Sequence, residues 1–203
     1  MMPLKQLPLP VWAFLLGLPA MSLGKDQARG LVREEAPSAP ACRIKLDFGK
    51  VAYQDLTIRG DKIKGSNFNL LQEGKILYGF VLSKPTRFRV SGKEISGTIA
   101  GMDLMLHIKH SGPYIQISGL VGSRRVNLKA SDHKVEVQAS ASGLASSSAH
   151  LLLVHEQGNR LRGRAGAGAE FYSAQMISFG CDLAHLRKRP ELLVVLFMWW
   201  LGA

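Results

Sequence analysis

The chain has 203 residues, 46% of them apolar, and carries 26 Lys plus Arg against 15 Asp plus Glu, a formal charge of +11. That length suits one domain with room for a processed segment, and the apolar share supplies a core, which excludes a disordered body. The basic excess favours anionic partners (lipid, polysaccharide or nucleic acid) without choosing among them, and the plain alternative is a solvated basic surface that aids solubility.

The first 24 residues read as a signal peptide. Lys5 stands before the apolar stretch VWAFLLGLPA, and small residues at Ala20-Met21-Ser22 and Ser22-Leu23-Gly24 fit cleavage after Ser22 or Gly24. The stretch is short and interrupted by proline, so a membrane span is not expected from it. Residues 25–41, KDQARGLVREEAPSAPA, have the composition of a flexible lead-in. A folded domain is expected over 42–189, with a C-terminal hydrophobic helix over 190–203 as part of it. The only cysteines, Cys42 and Cys181, lie near the two ends of that body. An exported chain would join them in a disulfide, which closes a long loop and reduces the entropy of the unfolded state.

The body alternates apolar and polar residues. RIKLDF offers Ile44, Leu46 and Phe48 on one face; TRFRVS offers Phe88 and Val90; DLMLHIK offers Leu104, Leu106 and Ile108. PYIQIS, RRVNLKA and KVEVQA continue the pattern with Ile115 and Ile117, Val126 and Leu128, Val135 and Val137. Period two in short runs broken by Gly, Ser, Asp and Asn predicts antiparallel strands with one buried face, joined as hairpins. About a dozen such runs predict an all-β fold, a hairpin meander forming a closed or nearly closed barrel of about twelve strands. Tyr78, Phe80, Phe88, Phe171 and Tyr172 are expected in its core. ASASGLASSSAH (139–150) is expected as a loop, with a poorly packed edge strand as the alternative.

Ile58-Arg59-Gly60-Asp61-Lys62-Ile63-Lys64-Gly65 has the same form as Val90-Ser91-Gly92-Lys93-Glu94-Ile95-Ser96-Gly97. Glycine supplies the backbone that tight turns and bulges need. The first copy spells Arg59-Gly60-Asp61, the triplet of integrin ligands. The second keeps the glycines and isoleucine but neither charged residue, so turn chemistry explains the pattern better than adhesion does.

The chain ends CDLAHLRKRPELLVVLFMWWLGA, apolar without a break from Leu192 to Leu201. Pro190 and Glu191 suit the first turn of a helix, and the basic triplet Arg187, Lys188 and Arg189 suits the end of a preceding one. The run is too short to span a bilayer. It reads as a buried helix packed in or against the barrel, with an interfacial anchor or a processed glycolipid-anchor signal as the alternatives.

In this order of elements from 42 to 203, and in the PELLVVLFMWW tail, the chain resembles the tubby C-terminal-like barrels, the group with the phospholipid scramblases and the LURP-one-related proteins. That resemblance implies a twelve-strand barrel threaded by a hydrophobic C-terminal helix, and action at lipid or membrane surfaces without catalytic residues. The signal peptide departs from it, because the familiar members work in the cytosol.

No nucleophile elbow, phosphate-binding loop or H-E-x-x-H stands in the chain. His107 and His110 are three apart on one run, as opposite faces of a strand, and His150 and His155 likewise flank opposite faces, so neither pair is expected to share an ion. No cofactor is expected. Aromatics are 7% of the chain, and no nucleic-acid module is recognisable, which argues against nucleic acid as partner. The expected function is an exported, non-enzymatic binding or structural protein at an anionic lipid or polysaccharide surface, held by Arg124, Arg125, Arg160, Arg162, Arg164, Arg187, Lys188 and Arg189. Two alternatives stand beside it: a barrel that holds a small apolar ligand, and a hydrolase built on scattered residues such as His107 or His155.

Overall fold

A computed structural model of the chain describes residues 41–49, 53–141, 148–198 and 201. The expected signal peptide and all but the last residue of the lead-in lie outside the described residues. Fourteen strands follow one another: β1 (Cys42–Asp47), β2 (Tyr53–Arg59), β3 (Lys62–Gly65), β4 (Phe68–Glu73), β5 (Ile76–Val81), β6 (Lys84–Ser91), β7 (Glu94–Ile99), β8 (Met102–Ser111), β9 (Tyr114–Val121), β10 (Arg124–Ala130), β11 (Lys134–Ala141), β12 (Ser148–Gln157), β13 (Arg160–Ala167) and β14 (Glu170–Phe179). Each pairs antiparallel with its neighbours in sequence, and β14 pairs back onto β1 (Ile44 opposite Ser178, Leu46 opposite Met176), which closes the barrel. The strand number exceeds the expected dozen by two, and exceeds by the same two the twelve-strand pattern of the tubby-like group. The short β3 (KIKG), a turn's length from its partners, carries too little alternation to be counted as a strand on its own.

Alternation places the core. Ile44, Leu46, Phe88, Leu104, Leu106, Ile108, Ile115, Ile117, Val126, Leu128, Val135 and Val137 all point inward and are buried. The aromatic expectation holds only for Phe88. Leu77 and Val81 take the inward positions of β5, so Tyr78 and Phe80 face out, and Phe80 is 54% exposed. Phe171 stands outward on β14 for the same reason, and Tyr172 is half-buried. The loop expected at 139–150 is narrower than that: β11 runs to Ala141 and β12 begins at Ser148, and residues 142–147 lie outside the described residues.

A barrel of eight strands is filled by its own side chains, and fourteen strands enclose far more. The remaining space is taken by the C-terminus. After β14, α1 (Leu183–Arg187) is started by the Asp182 carboxylate, which accepts from the His185 backbone N–H at 2.7 Å. Then α2 (Pro190–Met198) enters the barrel. Its residues 191–198 are all buried, on every side of the helix, and 192–198 belong to the same core cluster as the inward strand residues. Leu201 is buried with them. A helix apolar all round has no face for water, so enclosure on all sides is its stable arrangement. Inward positions on β11 to β14 are often alanine (Ala139, Ala149, Ala165, Ala174), which leaves volume for the larger helix side chains.

Polar contacts fix the helix at the end of the barrel where it enters. Arg189 donates to the Glu191 carboxylate at 2.9 Å and to the Gln72 side-chain oxygen on β4. Arg187 donates to the Pro113 carbonyl in the β8–β9 turn and pairs with Asp132 at 3.3 Å in the β10–β11 turn. Cys181 is joined to Cys42 at the start of β1, across 139 residues of sequence, as expected. Buried polar side chains are matched as well: Thr86 accepts from the Ala100 N–H at 2.9 Å, and Ser66 donates to Gln54 at 3.3 Å.

The repeated glycines have two jobs. Gly60, at φ +56°, turns the β2–β3 hairpin in two residues. Gly97, five residues beyond the turn glycine Gly92, falls at the phase of the buried Ile95 and Ile99 but is itself exposed, at φ +139°, and a Cβ there would lie 2.3 Å from the Arg87 carbonyl oxygen. This is a strand bend that brings β7 close over Phe88 and curves the wall. The same turn-then-bend spacing recurs at Gly74/Gly79 and Gly158/Gly163, two copies that the simple sequence repeat did not bring out.

Two outcomes test this packing. Leu193→Ala should lower stability by about 2–5 kcal/mol in chemical denaturation, as a cavity in a full core does. Gly97→Ala should also destabilise, by more than about 1 kcal/mol, because both its φ and the Arg87 carbonyl oppose a side chain; a neutral result at either position would mean that the wall or the plug is looser than described.

Candidate surface-binding face

The eight basic residues singled out from the sequence fall into three places. Arg160, Arg162 and Arg164 alternate along the outer side of β13. Arg124 and Arg125 begin β10, three strands away, at the opposite end of the barrel from the helix entrance. Arg187, Lys188 and Arg189 lie at that entrance, where Arg187 and Arg189 hold the contacts that seat α2 and Lys188 is the exposed C-cap of α1. The structure therefore does not gather the eight into one patch.

It builds a different face around the β13 group. The outward row of β14 is uncharged: Phe171, Ser173, Gln175, Ile177 and Phe179. On one side of it stand Arg160, Arg162 and Arg164; on the other stand Arg43 and Lys45 of β1. Apolar and cationic side chains meet directly across the ladder. Phe179 is opposite Arg43, Ile177 lies between Arg160 and Lys45, and Val154 of β12 is opposite Arg162. Phe171, Phe179, Val154 and Tyr53 are each about half exposed, from 47% to 55%. Sequence reasoning missed these apolar members. The signal was present, because each falls at the polar phase of an alternating strand.

Carboxylates temper the charge. Arg43 forks onto Asp55 of β2, with its Nε 2.9 Å and its Nη2 2.5 Å from the two carboxylate oxygens. That hydrogen bond, followed by the charge of the guanidinium, holds Asp55 below the usual carboxylate range, and the same bond raises Arg43. Glu156 serves Arg162 at 3.2 Å and Arg160 at 3.9 Å. Asp47 accepts from Gln175 at 3.3 Å. Arg164 and Lys45 have no carboxylate within ion-pair distance among the described residues. Exposed pairs of this kind are weak and solvated, so they can reopen toward a stronger anion.

The remaining candidates are separate. Arg59, Gly60 and Asp61 form the exposed tip of the β2–β3 hairpin, held by the Asp61 carbonyl, which accepts from the Gln72 N–H at 2.8 Å. His107 faces Glu94 at 3.8 Å on the open wall. His155 bonds the Gly158 carbonyl at 2.8 Å through Nε2, and its ring meets that of His133 edge-on, with centroids 5.7 Å apart. Neither His107 nor His155 hydrogen-bonds a serine, threonine or cysteine side chain among the described residues. No three His, Cys, Asp or Glu side chains gather at a metal-holding distance among the described residues. No helix of the described residues is long and apolar enough to cross a membrane. The wall itself has the opposite polarity to a membrane-spanning barrel, with lysines and arginines outward and leucines and isoleucines inward.

No family model matches this chain, and neither a curated protein nor a solved structure is significantly similar to it.

The Arg43–Asp55 pair gives a pH prediction. Because the Asp55 pKa is lowered on folding, the pair's stabilisation is present above the ordinary aspartate pKa and is lost as pH falls through the lowered folded value. Wild type and Asp55→Asn should therefore differ in denaturation midpoint at neutral pH, and the difference should shrink as the pH is taken down through that range. A difference that is constant with pH would show that the two residues are not coupled.

Proposed function

We propose that this is a non-enzymatic binding protein that docks on an anionic surface through the β13–β14–β1 face. The observation that carries the reading is the direct pairing of outward-facing apolar side chains with cations: the half-exposed Phe179 with Arg43, the half-buried Ile177 with Arg160 and Lys45, and the half-exposed Val154 with Arg162. A solvated basic surface has no need of half-exposed phenylalanines. An anionic lipid headgroup layer does suit them, because the aromatic and aliphatic side chains enter the interfacial zone while the cations meet phosphates. The wider wall adds long-range attraction. Lys62, Lys64, Arg87, Arg89, Lys109 and Lys129 point outward without a carboxylate in ion-pair range among the described residues.

Export is the compartment this reading favours. The N-terminal segment supports it, and so does the disulfide between Cys42 and Cys181, which an oxidising environment preserves. The filled interior makes a small apolar ligand a poorer proposal, because such a ligand would have to displace the side chains of α2. The resemblance to tubby-like barrels points the same way, toward lipid surfaces.

Vesicle sedimentation tests the face. Protein should bind vesicles that contain phosphatidylserine in preference to pure phosphatidylcholine, and added salt should weaken the binding steeply. Arg162→Ala with Arg164→Ala should each reduce affinity about fivefold, or ~1 kcal/mol per cation. Phe179→Ser should reduce it at a salt concentration where charge is screened. Glu156→Gln should strengthen binding by releasing Arg160 and Arg162. Binding that ignores both salt and these substitutions would refute the proposal.

A further inference from the structure

Between β9 and β12 the outer wall is recessed into a groove of about 690 Å³. Its origin lies in two features of the sequence. Gly119 bends β9 so closely over β8 that a Cβ there would sit 2.1 Å from the Met105 carbonyl oxygen. Around the bend the outward side chains are short, with Ser118 on β9, Ser140 on β11 and Ser148 on β12. The groove crosses four strands, about 14 Å at the usual strand spacing. Two cross-strand rows line it: Ser148, Ser140, Arg125 and Leu120 in one, and His150, Gln138, Asn127 and Ser118 in the other.

The hydrogen-bonding capacity of these groups is specific. Asn127 accepts from Gln116 at 2.9 Å through its carbonyl oxygen, so its amide N–H groups remain to donate. Gln138 donates to Glu136 at 2.9 Å, so its carbonyl oxygen remains to accept. Glu136 also meets His150 at 3.6 Å and Lys134 at 2.9 Å, which fixes the floor of the second row. Arg125 is exposed and has no carboxylate in ion-pair range among the described residues. The groove therefore offers one exposed cation, a set of amide and hydroxyl groups, and apolar surface at Leu120, Val126, Ala139 and Ala149.

We propose that this groove binds a short acidic saccharide, with its carboxylate or sulfate at Arg125 and its hydroxyls at Asn127, Gln138 and the serines. Other ligand classes fit less well. A lipid chain would find no apolar channel, because the barrel interior is filled by α2. An extended peptide would find no free strand edge, because the barrel is closed. A nucleic acid would find no Phe, Tyr or Trp in the groove on which to stack a base. The site is separate from the β13–β14–β1 face and does not depend on it.

The test is calorimetric binding of a uronic-acid tetrasaccharide, and of its carboxyl-reduced neutral counterpart, in about 0.5 M salt, where the screening length is only about 4 Å and the general field of the wall is suppressed. Wild type should bind the acidic form at least tenfold more tightly than the neutral one. Arg125→Ala and Asn127→Ala should each weaken it by about tenfold, while Arg162→Ala leaves it unchanged. These positions are on the outer wall, and unaltered circular dichroism and thermal unfolding of the same variants will show that they are folded. Absent binding by wild type, equal affinity for the neutral sugar, or equal loss from Arg162→Ala would each overturn the assignment and leave the lipid-docking proposal to its own test.

Discussion

The fold depends on a helix that must be enclosed on every side. The run from Leu192 to Met198 has no polar residue, so a place on a surface would leave apolar area in water at about 25 cal/mol for each Å². A closed wall around it removes that cost and, at the same time, removes the wall's own difficulty. Fourteen strands without a plug would enclose a large apolar void, and fourteen strands left open would expose two edges. Helix and barrel each make the other stable.

Several local features serve this arrangement. Strand bends at glycines such as Gly97 and Gly119 let neighbouring strands approach closely and the wall curve. The disulfide and the contacts of Arg187 and Arg189 seat the chain where it turns from β14 into the interior. These arginines look from the sequence like part of a basic binding patch, and in the fold they are structural. With the interior occupied, the chemistry is left to the outer wall. There the residues between the buried ones carry charge, exposed aromatics and, between β9 and β12, a recess.

Alternation made most of the fold legible. Runs such as DLMLHIK and RRVNLKA state their inward residues directly, and the cysteines near the ends of the body suggest a disulfide, which the fold joins. The tail was legible as a helix too short to span a bilayer and apolar on every side, while the choice between a buried helix and an interfacial or processed anchor came from the fold. The number of strands was less so, since KIKG is too short to show a period. The proposed docking face was largely hidden. Phe80, Phe171 and Phe179 are hydrophobic enough to be taken for core, and only the phase fixed by Leu77 and Val81, or by Ala174 and Met176, turns them outward. The apolar neighbours of these cations come from cross-strand pairing, Val154 of β12 for Arg162 and Phe179 of β14 for Arg43, and the closure of β14 onto β1 joins residues more than a hundred positions apart.

Hydrogen exchange of α2, measured with and without phosphatidylserine vesicles, tests most directly that the helix is a permanent plug and the outer wall the working surface. Amides of residues 194–198 should exchange only through global unfolding, as slowly as those of β1 and β14, and vesicles should leave them unchanged while protecting the β13–β14–β1 face. Exchange in α2 faster than in the strands, or a helix released when vesicles are added, would contradict it and make the tail itself the membrane-binding element.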